Sequence, residues 1–454
     1  MIFIYRKINR QNKVHKCAIN SLYFIVKQLF IEKNKLENKP AILQENNYLS
    51  IHHMFDHPRH MEPMFPKDSS GLINVAMEVF RKSASLDDLL HPITRKEVTR
   101  LLRHINSYYS NRIEGEHTTP ADIERAVKND YSRDEKKKRL QKLSVAHIDV
   151  QDLIDSWLIH NPELNVCSKD FLCSIHKEFY ERVPESFLHI HDPETGGTLK
   201  MVPGEIRKRE VKIANHYPPK AESLELFLDR FENTYSPEKL VGHKKLIAAA
   251  ASHHRIAWIH PFLDGNGRVT RLFSYAYMKK VKLDSLGLWT LSRGFARRSD
   301  DYKALLAVAD AGRKGDFDGR GNLSERGLNR FCEFYFDVAD DQISFMRELL
   351  HLEKLRERIM GYVSLRSENM IPNEEPLRTE SKFVLAEIMM RGEIARGEVK
   401  RISGLGERTA RDLTSQLESE ELIKSASHRA PLQFHVPSKV VGYYFPTLYP
   451  VGSI

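Results

Sequence analysis

Apolar residues recur at helical spacing along most of the chain after residue 70. Val75, Val79 and Phe80 share one face, and Val98, Leu101, Leu102 and Ile105 share another. Leu224, Phe227, Leu228 and Phe231 mark a further helix. Thr119-Pro120-Ala121-Asp122 predicts a helix start, with Pro at the first helical position, where its missing N–H is not needed. Residues 133–142 are a charge run and predict a solvated helix face. Residues 244–259 are Ala-rich and strongly helical, and they run directly into His260. A second helix is predicted from Leu272 to about Val281, and further helices over 301–311 and 324–360.

The period changes between 189 and 219. Asp192-Pro193, Gly196-Gly197 and Pro203-Gly204 are turn signals, and short alternating pieces such as Glu210-Val211-Lys212-Ile213 lie between them. This predicts a β-hairpin inside a mainly α protein. Asn369 to Glu380 is polar and contains Pro, so 371–380 is expected to be a linker. Beyond it the pattern is helix (Phe383 to Met390), helix (Gly397 to Ile402), a Gly-containing turn, and helix (Glu407 to about Ser419). A strand is predicted to begin at Leu422-Ile423, and Leu432 to Val436 alternates as another. The expected organisation is an extension over 1–60, a helical domain over 61–370, a small domain over 381–440 and a tail over 441–454.

Composition narrows the class. With 41% hydrophobic and 29% charged residues among 454, the chain has ordinary globular content, which argues against disorder. Four Cys in this length make no disulfide framework. The five residues between Cys167 and Cys173 match no zinc spacing, so a reducing cytoplasm is expected. The net charge of +9 invites a nucleic-acid partner. Residues 1–50, however, hold nine Lys and Arg against three Glu, and so carry six of the nine charges. The apolar stretch there, Ser21 to Val26, is cut by Lys27 and resumes only over Leu29 to Ile31, far short of the roughly 20 residues a membrane span needs. Leu22, Ile25, Val26 and Leu29 permit a basic amphipathic arm for membrane or nucleic acid. The other reading, which is the expectation, is a poorly ordered extension with the start codon assigned too early, since Met54, Met61 and Met64 lie where the composition normalises.

The chemistry concentrates at His260-Pro261-Phe262-Leu263-Asp264-Gly265-Asn266-Gly267-Arg268-Val269-Thr270-Arg271. A Gly-Asn-Gly loop at a helix N-terminus is an anion site, because free N–H groups and the helix dipole point the same way. Arg268 and Arg271 stand one helical turn apart, and a guanidinium donates two bonds to a phosphate. An anion hole, two arginines and a carboxylate describe a polyphosphate site. Asp264 repels a bare phosphate, so its expected role is to hold a divalent cation, and Mg²⁺ uses one or two carboxylates with phosphate oxygens. His260, beside the loop, is placed to act as general base. His253-His254 with His260 lacks the spacing of a zinc site, and the two are expected to be helix and core histidines. The chain contains no P-loop, G-x-S-x-G or Rossmann glycine pattern.

The segment resembles the Fic family signature, H-P-F-x-[D/E]-G-N-G-R-x-x-R, with all nine specified positions present. The resemblance implies a helical Fic core that transfers AMP from ATP to a Ser, Thr or Tyr hydroxyl of a target protein, or of itself, and releases pyrophosphate. His260 would deprotonate the hydroxyl, Phe262 would anchor the loop, and Asp264 would hold Mg²⁺. The backbone of Gly265 to Gly267 would cradle the phosphates, with Asn266 orienting the α-phosphate. Arg268 would reach the β-phosphate and Arg271 the γ-phosphate. Gly267 favours AMP transfer, since Doc-like kinases carry Lys there. Gly204-Glu205-Ile206-Arg207 and Val211-Lys212-Ile213 resemble the family's flap, a hairpin that pairs with the target as an added strand. An ordinary structural hairpin is the alternative. Tyr302 resembles a tyrosine near the adenine pocket, with plain helix surface as the other reading.

Ser110-Asn111-Arg112-Ile113-Glu114-Gly115 resembles the family's inhibitory motif, [S/T]-x-x-x-E-[G/N]. There the glutamate pairs with the second signature arginine, here Arg271, and so blocks the γ-phosphate position. The C-terminal pattern resembles a winged helix-turn-helix, carried by many bacterial Fic proteins. Arg408, Thr409 and Arg411 would face outward on its third helix, where a DNA reader makes its contacts. Residues 381–439 hold ten Lys and Arg against eight Asp and Glu, so a protein-binding or dimerising module, giving a homodimer, stands beside DNA contact. Three activities remain open: autoinhibited adenylyltransferase, winged-helix regulator with a sensing Fic module, and de-adenylylase.

Overall fold

A computed structural model describes residues 55–67, 70–192, 196–213 and 216–450. The spacing noted at Leu22 to Leu29, like the rest of the extension up to Met54, lies outside them. The described chain is mainly helical. It opens with α1 (Ser70–Ala84), α2 (Pro92–Ile113), α3 (Pro120–Val127), α4 (Glu135–His160) and α5 (Lys169–Tyr180). A two-stranded antiparallel hairpin follows, β1 (His189–His191) with β2 (Thr198–Lys200), pairing Ile190 with Leu199. Then come α6 (Leu224–Tyr235), α7 (Lys244–Ile259), α8 (Asn266–Lys280), α9 (Leu291–Arg297), α10 (Ser299–Asp310), α11 (Glu325–Leu349) and α12 (Leu352–Ser367). The last group is α13 (Ser381–Arg391), β3 (Glu393–Ile394), α14 (Glu398–Ser403), α15 (Glu407–Ser419), β4 (Ile423–Lys424), β5 (Leu432–Phe434) and α16 (Ser438–Tyr444). Among the described residues no helix is long and apolar enough to cross a membrane.

Local chemistry explains the boundaries. Thr119 Oγ1 accepts from the Asp122 N–H at 3.1 Å and starts α3 ahead of Pro120. Asp134 caps α4 in the same way, accepting from Lys137, and its charge run faces solvent. α7 is buried along most of its length. Ala248 to Ala251 are wholly buried, and their small side chains let α6, α8 and α11 pack closely around them. Val98, Leu101, Leu102 and Ile105 all line the core, whereas Val75 is 44% exposed because α1 turns only Val79 and its neighbours inward.

Several boundaries move. α8 begins at Asn266, six residues before the expected Leu272, because the polar Asn266-Gly267-Arg268 stretch is itself the first turn of the helix. The expected helix over 324–360 is two helices, broken at Leu350-His351. Packing also reaches back to the residues that precede α1. The Phe55 ring meets Trp258 edge-on at 5.0 Å, and fully buried Arg255 donates to the Pro63 carbonyl.

Residues 381–444 form four helices and a three-stranded antiparallel sheet ordered β3-β5-β4. This unit packs on α2. Thr94 Oγ1 donates to the Met389 carbonyl at 2.7 Å, and buried Glu97 accepts from Lys424 Nζ at 2.7 Å and from the Val436 N–H at 3.0 Å. The expected tail is partly core. Phe445, Leu448 and Tyr449 are buried, and the Leu448 carbonyl accepts from the Tyr109 hydroxyl at 3.0 Å. Arg293 donates to the Thr447 carbonyl at 2.8 Å.

Candidate active site

α7 ends where the residue that caps it turns left-handed. His260 has φ 51° and ψ 61°, and Pro261 follows, which cannot continue a helix. Phe262 is buried and stacks on His176 of α5, ring centroids 4.1 Å apart. The loop is closed by Asn266. Its Oδ1 accepts from the Phe262 N–H at 2.9 Å and its Nδ2 donates to the Phe262 carbonyl at 2.8 Å. An α-phosphate role for the Asn266 side chain therefore meets a side chain already committed to the loop. Asp264 is exposed, and its Oδ1 accepts from the Gly265 N–H at 2.6 Å.

α8 then starts at Asn266 with no side-chain cap. Its first N–H groups lack intrahelical acceptors, so the positive end of the helix faces the loop. Two glycines are needed for contact. Gly265 has φ 81°, and a Cβ there would lie 2.3 Å from the Tyr180 hydroxyl oxygen. A Cβ on Gly267 would lie 2.2 Å from Glu114 Oε1. The Glu114 carboxylate thus rests against the glycine loop, where an anion would sit.

Both signature arginines are buried and engaged. Arg271 donates from Nε to Ser110 Oγ at 2.9 Å, and from Nη2 to the Ser110 carbonyl at 3.0 Å and Glu114 Oε1 at 2.6 Å. Arg268 donates from Nη1 to the Tyr180 hydroxyl at 3.1 Å and from Nε to Asn111 Oδ1 at 3.4 Å. Ser110 and Asn111 form the last turn of α2, and Glu114 is the residue that ends it. Burial pushes the Glu114 carboxyl up, but Arg271 and then Arg268 pull it further down, so it stays ionised below the usual carboxylate range.

His260 Nδ1 lies 3.4 Å from the Ala257 carbonyl, which favours the proton on Nδ1 and leaves Nε2 as the basic nitrogen. Burial and the neighbouring His216 push its pKa down to about 3, so the ring is neutral. Arg207 fixes the other side of the turn. Its Nε donates to the His260 carbonyl at 2.9 Å, and its own N–H donates to the Pro261 carbonyl at 2.9 Å.

The hairpin forms at β1 and β2, upstream of the segment expected to be the flap. Val211 and Lys212 lie outside any strand, and Ile213 makes only an isolated bridge to His216, because among the described residues no second strand of this chain runs beside them. Gly204 is joined to the site, its N–H donating to His176 Nδ1 at 2.8 Å. The Tyr302 expectation changes. Tyr302 is 4% exposed, its hydroxyl lies 2.8 Å from His253 Nε2 and its ring stacks on Phe295 at 4.4 Å. That excludes plain helix surface and commits the hydroxyl to the core rather than to a base. His253 and His254 are core histidines, the latter 3.0 Å from Asp310.

The residues that sequence reasoning did not single out are His176 and Tyr180. They lie four apart on α5 and meet a loop some 85 residues later, so no local spacing announces them.

Residues 166–278 match the model of the Fic/DOC family, and the chain carries that domain there. It is similar to the "Protein adenylyltransferase Fic" of Drosophila erecta, 34% identical over 88 residues, which is 19% of this chain and 18% of that protein. The same-named protein of Drosophila mojavensis is 33% identical over 88 residues, with the same shares. The chain thus spans about a fifth of the length of these relatives. Among solved structures it is similar to a Fic family protein from Desulfovibrio desulfuricans, at 15% identity and TM-score 0.46, covering 81% of this chain and 97% of that one. It is also similar to Fic-1 from C. elegans, at 17% identity and TM-score 0.44, covering 61% of this chain and 72% of that one.

Proposed function

We propose that this Fic/DOC-domain chain is a Mg²⁺-dependent protein adenylyltransferase held in check by Glu114. The observation that carries the reading is the carboxylate of Glu114 lying on the glycine loop with Oε1 2.6 Å from Arg271 Nη2. A carboxylate there mimics the anion that the loop and the arginines are built to hold.

In the released state the triphosphate lies along the N-terminus of α8. The backbone of Gly265 to Gly267 donates to phosphate oxygens, Arg268 takes the β-phosphate and Arg271 the γ-phosphate. Asp264 is the carboxylate that this loop exposes, and one carboxylate with phosphate oxygens suits Mg²⁺. Bound there, the ion would offset charge developing on the leaving pyrophosphate. His260 Nε2 takes the proton of the target hydroxyl as its oxygen attacks the α-phosphorus. The bond from that phosphorus to the bridging oxygen breaks, and pyrophosphate departs. A bound triphosphate brings negative charge beside His260 and raises its pKa toward the range of a useful base. With Glu114 in place, Arg271 is withheld and a second negative charge faces the nucleotide, so ATP is not aligned for in-line attack.

The arrangement of α13 to α15 with sheet order β3-β5-β4 supports the winged-helix reading of the C-terminal part. Half of its basic residues are ion-paired within it, among them Arg411 with Glu407, Arg401 with Glu398 and Arg396 with Glu418. That pairing favours a protein-contacting role over DNA.

The test is incubation with α-labelled ATP and mass spectrometry of the modified chain. Glu114→Gly should incorporate at least ten times more label than wild type, with the added mass of AMP, and His260→Ala in that background should incorporate none. Equal incorporation by wild type and Glu114→Gly would overturn the brake. Added phosphate in place of AMP would overturn the transfer chemistry.

A further inference from the structure

We infer that Tyr180 is a phosphate-binding residue of the nucleotide site, its hydroxyl donating to the β-phosphate beside Arg268; this rests on the nucleotide reading above.

Tyr180 ends α5, and its side chain is buried directly beneath the glycine loop. The contact is close enough that position 265 must be glycine, since a Cβ there would come 2.3 Å from the hydroxyl oxygen and 2.4 Å from a ring carbon. The hydroxyl is therefore part of the wall of the anion cradle. Its bond partner defines its role. Arg268 Nη1 donates to the hydroxyl oxygen at 3.1 Å, so that oxygen is an acceptor on the arginine side. A phenol that accepts one bond still has its own hydrogen to donate. Asp264 and Glu114 are the negative groups in its surroundings, with Arg268 the positive one. Burial, the largest influence, and both carboxylates raise the phenol pKa and Arg268 lowers it; the net rise keeps the proton on oxygen at any ordinary pH.

A neutral hydroxyl beside a guanidinium gives two donors of different charge. The arginine fixes the charge of the ligand and the hydroxyl adds direction, because a buried O–H needs an acceptor. In the resting state the Asp264 and Glu114 carboxylates are the negative groups near it. When Glu114 withdraws, the acceptor that arrives is a phosphate oxygen. The position facing Arg268 is the one assigned to the β-phosphate, so Tyr180 should distinguish nucleotides that have one from those that do not.

The experiment measures ATP, ADP and AMP binding, each with Mg²⁺, to the full chain by isothermal titration calorimetry. Glu114→Gly is compared with Glu114→Gly/Tyr180→Phe. The Phe variant should bind ATP and ADP about five to ten times more weakly, with AMP affinity unchanged. AMP serves as the control for folding, because a damaged site would weaken all three. A fluorinated tyrosine at 180 keeps the shape and strengthens the donor, so ATP affinity should hold or rise. Unchanged ATP binding in Tyr180→Phe, equal loss for AMP, or weaker ATP binding with the fluorinated residue would overturn the inference. If Glu114→Gly binds ATP and transfers nothing, while Tyr180→Phe still loses ATP and ADP selectively, the transfer reading falls and the inference stands. If Glu114→Gly binds none of the three, both fall.

Discussion

Glu97 offers the most quantitative test of how α2 is held. It lies on that helix, 2% exposed, and accepts from Arg100 Nη2 at 2.7 Å, Lys424 Nζ at 2.7 Å and the Val436 N–H at 3.0 Å. Burial pushes its carboxyl up, but Arg100, with His435 and Lys424, more than reverses that and brings the pKa down to about 2 from the ordinary 4.5. A folded pKa below the unfolded one stabilises the protein above the unfolded value, and that stability fades as pH falls through the folded value. The difference corresponds to about 3 kcal/mol at neutral pH, and to about half of that or less at pH 3. Glu97→Gln removes the charge and keeps the size. Arg100 and Lys424 are partly exposed and regain water, so the expected loss is about 2–3 kcal/mol at pH 7. Urea unfolding followed by tryptophan fluorescence reads it directly. The gap between wild type and variant should shrink as pH is lowered from 6 to 3. A variant within about 0.5 kcal/mol of wild type at pH 7, or a gap that stays constant with pH, would refute the reasoning.

Two other substitutions probe the loop. Gly265→Ala forces a side chain into left-handed backbone and against Tyr180, so it should cost about 1–3 kcal/mol and suppress labelling in the Glu114→Gly background; a fully active, equally stable variant would contradict the packing described. Arg207→Ala strips partners from the His260 and Pro219 carbonyls, so it should cost about 2–4 kcal/mol and make the 204–213 segment markedly more sensitive to protease. Identical cleavage patterns would show that Arg207 does not tether that segment.

Much of this was legible in the sequence, for identifiable reasons. The buried row Val98, Leu101, Leu102 and Ile105 follows from the period alone. So does the start of α3, because a cap and a proline are local chemistry. The signature loop was legible because its residues are consecutive. What escaped depends on distant partners. Asn266-Gly267-Arg268 reads as loop by composition, yet it is the first turn of a helix. Tyr302 sits in a helix with a polar start, and its burial is decided by His253 and Phe295 rather than by its neighbours. Phe445 to Tyr449 look like a tail, since their packing surface is supplied by α2 and Arg293. Nothing near Tyr180 in the chain points to Arg268, 88 residues on.

The grip on α2 also decides where the molecule can move. Its contacts run to Met389, Val436 and Leu448, 295, 339 and 339 residues away from the helix residues they meet. Each such contact closes a very long loop, so the body of the helix opens only when much of the fold opens with it. Gly115, just past the helix end, is different. It has φ 82° and nothing within 4 Å of where a Cβ would be. In hydrogen-exchange terms the amides of Leu101 to Tyr109 are expected to exchange with global unfolding, and those after Asn111 by a local opening. If Glu114 acts as the proposed brake, its turn is thus the part expected to lift at a cost far below that of unfolding.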